Sequence, residues 1–320
     1  MAGHRPRSGH PARRRPPRPA SRTKTGGRTD ILGALTLGLF LVLLLLPISQ
    51  GHEWGWTSAR TLGSFAGAVV MAGVWSFTES RVREPMVDMK MFFHRPVLFS
   101  DLAGLFVGFG MFAQFLGVSY LAQVPRDVAG YGFGASVLRA SVEYLLPSTI
   151  ASLVVSQFGG VLIRRIGPRL TLALSAAMGI AGFTWLSAAH SSAPSVIGAG
   201  MAVGTAISLG YAAMPALIVA GVPPHQTGIA NGINSISRSV GSAISSALIT
   251  SLLASRTIEN LPAGVPPLPA ESQFTLSFAL AGVAFAFVLT LSLVGLEREQ
   301  QAPRTEHLPA TKPAAATTAA

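Results

Sequence analysis

Apolar residues do not alternate with polar ones along this chain. They come in long runs separated by short polar segments. Runs of roughly twenty residues cover about 31–49, 62–79, 98–121, 136–163, 170–189, 196–222, 228–255 and 273–296. A helix needs about 20 mostly apolar residues to cross about 30 Å of hydrocarbon at about 1.5 Å per residue. Backbone inside lipid has no water to bond, so such runs must be helical or close into a barrel. A barrel would show short alternating segments, and the chain has none. The pattern predicts an all-α, polytopic transmembrane helical bundle of about eight spans. Flanking it, residues 1–29 read as a basic disordered tail and 297–320 as a second disordered tail, with the bundle over 30–296.

Composition sharpens this picture. Apolar residues make up 49% of the chain and charged residues 12%, with a mean hydropathy of +0.49. A water-soluble domain carries about 25% charged residues. The net charge of +11 would suit a nucleic-acid partner, but its location argues otherwise. Residues 1–29 hold nine Lys and Arg and no acid, leaving a nearly neutral, oily body. The tail could touch nucleic acid or anionic lipid, but its simpler role is to fix topology, so no nucleic-acid partner is expected. With no cysteine, disulfides and thiolate chemistry are excluded. The seven histidines are scattered, and no nucleotide-binding or hydrolase motif is present. Neither an enzyme site nor a cofactor or metal site is expected.

Orientation follows from where the cations fall, since short cytoplasmic loops collect Lys and Arg. With residue 1 inside, the inner segments 80–95 and 164–169 carry Arg81, Arg83, Lys90, Arg95, Arg164, Arg165 and Arg169. The outer loops carry only Arg60, Arg126 and Arg256, while Trp54 and Trp56 fall in the first outer loop. A multi-pass protein of the cell's inner membrane with both termini cytoplasmic is expected.

Polar groups inside the spans are the candidate functional residues, because they are costly there. Arg139 and Glu143 stand four apart and can pair; helix rise places them at the outer interface, as an ordinary interfacial pair or a gate. Asp101 and Glu79 fall within a turn or two of the inner loops. Arg238 lies about 18 Å beyond Gln226, close to the midplane, and shares a face with Asn231 and Asn234. A neighbouring face of Gly228, Gly232, Ser235, Ser239, Ser242 and Ser246 is expected to pack closely against another helix. The Arg238 stripe then either bonds neighbouring helices or lines a watery cavity, with Gln114 and Tyr211 as further polar groups. Pro147 and Pro215 interrupt spans, a feature more fitting to a transporter than to an anchor.

Four stretches carry a family resemblance: Arg28-Thr-Asp-Ile-Leu-Gly33 with Gln50-Gly-His-Glu-Trp-Gly-Trp56; Gly130-Tyr-Gly-Phe-Gly134 leading to Leu146-Pro147; Gly160-Val-Leu-Ile-Arg-Arg-Ile-Gly-Pro-Arg169; and Gly228-Ile-Ala-Asn-Gly232 through Arg238 and Gly241. Over residues 28–296 the chain resembles the C-terminal part, helices seven to fourteen, of a fourteen-helix drug:proton antiporter of the major facilitator superfamily. The third stretch is the most distinctive and is similar to the superfamily's cytoplasmic G-x-L-x-D-R-x-G-x-R loop. Its Gly160, Arg164, Arg165, Gly167 and Arg169 can clamp helix ends, although Arg164 stands where the family usually has Asp.

The resemblance implies proton-coupled efflux of small amphipathic organic substrates from the bilayer, powered by the proton gradient with no other cofactor. It also implies that six helices are missing. Residues 1–27 have the Arg, Pro, Ala and Gly content of GC-rich DNA read out of frame, so a truncated or frameshifted product, or a mispredicted start, is expected. The partner would then be an N-terminal half-transporter or a second copy of this chain. The alternative expectation is a non-transporting half-bundle. No carboxylate is placed near the midplane, so no proton carrier is assigned.

Overall fold

The computed structural model describes residues 31–55, 57–81, 94–224, 226–258, 261–262 and 265–295. The expected tails at 1–29 and 297–320, Trp56 and most of the 80–95 segment lie outside the described residues. The described chain is helical apart from its loops and one isolated antiparallel bridge. The long helices are α1 (Ile31–Trp54), α2 (Ala59–Arg81), α3 (Arg95–Gln123), α4 (Leu146–Ala188), α5 (Ala193–Gly221), α6 (Thr227–Ser255) and α7 (Glu271–Thr290). Six described helical runs are long and apolar enough to cross a membrane. Large apolar side chains such as Val69, Leu138, Leu153 and Phe158 stay exposed around the outside. That suits a lipid solvent and would be costly in water. The chain is an all-α transmembrane bundle.

Local chemistry sets the helix ends. Gly55, at φ 83°, takes the left-handed conformation that stops α1. Ser58 then caps α2 by accepting from the Thr61 N–H at 3.2 Å. Pro96 opens α3, where its missing N–H costs nothing. The Val137–Arg139 turn widens into a π-helical turn over Ala140–Leu145 just before Pro147, whose ring supplies no N–H to the preceding turn.

The run from Val137 to Ala188 holds 52 residues, more than twice what one crossing needs. It turns at Gly167, with φ 84° and ψ 160°, immediately before Pro168. The turn divides α4 into two arms over the separate stretches 136–163 and 170–189 read from the sequence. Both arms lie on α5. In the first, Ser152 offers its carbonyl to the Ser208 hydroxyl at 2.9 Å; in the second, Ser175 donates to the Ala206 carbonyl at 2.6 Å.

Helix α3 is the hub, packing against α5, α6 and α7. On its α7 side the core is aromatic, with Phe183, Phe274, Phe278 and Phe285 fully buried. On its α6 side the two backbones nearly touch. A Cβ on Gly241 would lie 2.7 Å from the Leu105 carbonyl carbon, and one on Gly108 2.9 Å from the Arg238 Cα.

This contact corrects the packing face read from the sequence. A Cβ on Gly228 or Gly232 would meet nothing within 4 Å, and Ser235 and Ser239 are exposed. Of the expected row, Ser242 meets α3, donating to the Gly108 carbonyl at 3.0 Å. The buried positions of α6 are instead Ala230, Asn234, Gly241, Ser245, Ile249 and Leu253. Close approach needs small residues on both helices at one level, and Gly108 and Gly241 supply that.

Candidate functional site

The polar stripe of α6 is held at this α3 contact. Asn234 is fully buried. Its Nδ2 donates to the Ser100 carbonyl at 2.8 Å and to the Asp101 carboxylate at 3.2 Å, both on α3. Gly104 makes room for it, since a Cβ there would lie 2.9 Å from the same Nδ2. The Asn234 Oδ1 accepts from Arg238 Nη1, and Arg238 Nη2 donates to the Ser235 hydroxyl at 2.8 Å. The half-buried guanidinium lies over the Tyr211 ring of α5, 4.8 Å from its centroid. Tyr211 in turn donates to the Met111 sulfur of α3 at 3.2 Å.

The result is one chain of polar contacts, Asp101–Asn234–Arg238–Tyr211, stitching three helices. Buried polar networks are stabilising only when each member is satisfied, and here Asn234 uses both ends of its amide. Arg238 has a cation–π face and two donors engaged, with further N–H donors remaining on the guanidinium. This is an aromatic and cationic surface joined to a carboxylate, set within an apolar bundle. It can hold an organic molecule by ring stacking and hydrogen bonds, and it couples that surface to a titratable group.

The other residues named from the sequence fall into place around this group or apart from it. Asn231 turns its amide back to the Thr227 carbonyl of its own helix at 2.9 Å. Gln114 is not part of the network. It is 5% exposed and donates to the Gly200 carbonyl at 2.9 Å, bonding α3 to α5. Asp101 was placed with the inner loops by its position in sequence, and its tie to Asn234 was not visible there. Nothing in one sequence aligns the starts of α3 and α6, so no signal could have joined the two.

In the Gly160–Arg169 loop, Gly167 makes the turn and Arg169 does the clamping. Arg169 Nε donates to the Ser292 carbonyl at 2.8 Å and Nη2 to the Leu293 carbonyl. These belong to the π-helical turn Leu291–Gly295 that ends α7, where carbonyls lack helical partners and the dipole favours a cation. Arg164 and Arg165 are exposed. At the opposite end, Arg139 and Glu143 form a bidentate pair, at 2.9 and 3.0 Å, with both side chains largely solvent-facing. No group of three metal-ligating side chains occurs among the described residues.

Fold and site together define a polytopic helical membrane protein with a polar seam inside an oily bundle. The sequence profile of the Major Facilitator Superfamily matches residues 31–246 and 148–317, and the chain belongs to that superfamily of transporters. It is 29% identical over 245 residues to the multidrug resistance protein Stp of Mycobacterium tuberculosis, covering 75% of this chain and 44% of that protein. It is 28% identical to the tetracenomycin C resistance and export protein of Streptomyces glaucescens, covering 73% of this chain and 42% of that one. The cephamycin export protein CmcT of Amycolatopsis lactamdurans is 27% identical, over 83% of this chain and 52% of its own length. The chain thus spans about half the length of the curated relatives it matches.

Proposed function

We propose that the chain is the C-terminal part of a proton-coupled exporter of small amphipathic organic compounds. The observation that carries this is the Arg238 guanidinium stacked on Tyr211 and tied through Asn234 to Asp101. Compounds with an aromatic body and a polar group match such a surface, and the multidrug resistance and the tetracenomycin C export named for the relatives agree with it. Asp101 is our assignment for the proton-binding carboxylate, because it contacts the same Asn234 that holds Arg238. Protonation there would weaken its hold on Asn234 and so change the cation's surroundings. Both termini are placed on the cytoplasmic side of the cell membrane in this reading, following the loop cations.

The test is dye efflux from proteoliposomes with an imposed pH gradient. Arg238→Ala should abolish efflux. Asp101→Asn should keep dye movement down its own gradient but lose the response to pH. Full pH-driven efflux in both variants would sink the assignment.

A second reading, a half-bundle that works only with a partner chain, is favoured by the open Gly228, Gly232, Ser235 and Ser239 face of α6. Under it, the chain alone gives no efflux, and co-expression with an N-terminal half of a related exporter restores it. A second copy of this chain is the other candidate, and the mass of the assembly in nanodiscs separates the two.

A further inference from the structure

Of the Pro-rich segment between α6 and α7, the described residues 256–258 and 265–270 form a strap at one end of the bundle. Thr257 and Pro269 make an antiparallel bridge, with Ile258 N–H donating to the Leu268 carbonyl at 2.9 Å and Ala270 N–H to the Arg256 carbonyl at 2.8 Å. The Tyr131 hydroxyl, from the loop after α3, donates to the Pro269 carbonyl and pins the strap down. Burial, and then the nearby Glu271 carboxylate, push that hydroxyl up to about 12, so the pin stays protonated at ordinary pH.

Beneath the strap is a cavity of about 400 Å³. Leu253 and Phe274, both buried, line it together with Pro267 and Leu268 of the strap. Tyr120 and Gln123 of α3 and Thr250 and Ala254 of α6 also line it. Three hydroxyls on this lining, those of Tyr120, Thr250 and Thr257, have no hydrogen-bond partner among the described residues. Gln123 spends its amide nitrogen on Ser119, at 2.9 Å from the carbonyl, and its amide oxygen has no partner among them either. No Asp, Glu, Lys, Arg or His is among the described residues that line the space. Tyr120 stands about 18 Å along α3 from Gly108, so the cavity is separate from the Arg238 network.

We infer that this cavity is a second binding site, which takes a neutral two- or three-ring organic molecule bearing a hydrogen-bonding group. The size falls within the range of small-molecule pockets, and apolar walls with a few unspent polar groups are what such ligands need. The missing charge sets the selectivity. An ionised ligand would give up part of its hydration here and meet no opposite charge among those residues. The Arg238 network, by contrast, can meet polar or anionic groups. Occupancy of the strap cavity does not depend on whether the chain transports.

The full chain in lipid nanodiscs, photolabelled with benzophenone and mapped by peptide mass, tests this. Insertion should saturate with concentration and centre on Leu253, Leu268 and their neighbours. Ala254→Trp, a change at an exposed edge of the cavity, should cut that insertion about tenfold, equivalent to about 1.4 kcal/mol. Thr250→Val keeps the volume and removes a donor, and should weaken labelling by about two- to tenfold. The anionic 4-benzoylbenzoate should label the cavity about tenfold less than benzophenone at equal concentration. Should Ala254→Trp lose its helical circular dichroism, the Thr250→Val and 4-benzoylbenzoate comparisons decide alone. Insertion that never saturates and spreads over Val69, Leu153 and Phe158 would overturn the site. So would labelling unchanged in a folded Ala254→Trp or in Thr250→Val, or equal labelling by the anion.

Discussion

Where α3 meets α6, a Cβ on Gly108 would run into the backbone of Arg238, and one on Gly241 into the backbone of Leu105. Where α3 and α4 meet α7, a Cβ on Gly110 or Gly179 would run into the Phe285 ring, and one on Gly117 would lie 2.6 Å from the Phe278 ring. Glycine serves opposite purposes at the two contacts. Against α6 it brings two backbones together, so that short polar groups such as Asn234 and Ser242 can reach across to carbonyls. Against α7 it hollows a socket that a large ring fills. The first contact has nothing soft to give way; the second has a side chain that can be resized.

The largest effect should come from Gly241→Ala. A methyl there must push two backbones apart, so the loss should exceed the about 1–3 kcal/mol usual for overpacking. Titration with SDS, followed by circular dichroism, should show little helical bundle surviving at detergent levels that leave the parent folded. A variant as resistant as the parent would mean the α3–α6 approach is looser than described.

Phe285→Ala should come next, at about 3–5 kcal/mol, because it empties a socket shared by Gly110 and Gly179. Gly179→Ala should cost about 1–3 kcal/mol, and Phe285→Leu in the same chain should recover much of it. The matching experiment at the other contact, Gly108→Ala with Arg238→Ala, should recover nothing, since the obstacle there is backbone. Rescue in the second pair, or none in the first, would break the distinction.

Asn234→Ala should destabilise by about 1–3 kcal/mol, because it strips partners from Arg238 and from the buried Ser100 carbonyl. The smallest effect is expected from Ser277→Ala on α7. Its buried hydroxyl has no partner among the described residues, so removal should shift the SDS midpoint by no more than about 0.5 kcal/mol.

These contacts also show where reading the chain stops. The runs from 98 to 121 and from 228 to 255 were visible as apolar stretches, and Arg238 stood out because a cation within such a stretch is costly. The Arg139–Glu143 pair was visible as well, since one helix turn brings residues four apart together. Arg169 was visible only as a member of a loop motif, and the carbonyls it holds come from 123 and 124 residues away. The face of α6 was misjudged because a row of Gly and Ser marks where a helix could pack closely, not where its neighbour supplies a matching glycine. Gln114 was visible as a polar group within a span, but its acceptor on Gly200, 86 residues away, was not.

By itself the sequence determined that this is an α-helical membrane bundle, because long apolar runs and the backbone's need for internal hydrogen bonds leave one answer. It also determined which polar residues would be conspicuous, because burial cost attaches to residue type. Which helix lies against which, and at what level, was decided only by the tertiary structure. Asp101, Asn234, Arg238 and Tyr211 come from three helices, and the strap cavity from the strap between α6 and α7, the two helices it joins, and α3. Their meeting depends on two glycines placed at one level on different helices, a relation between distant residues that no local pattern records.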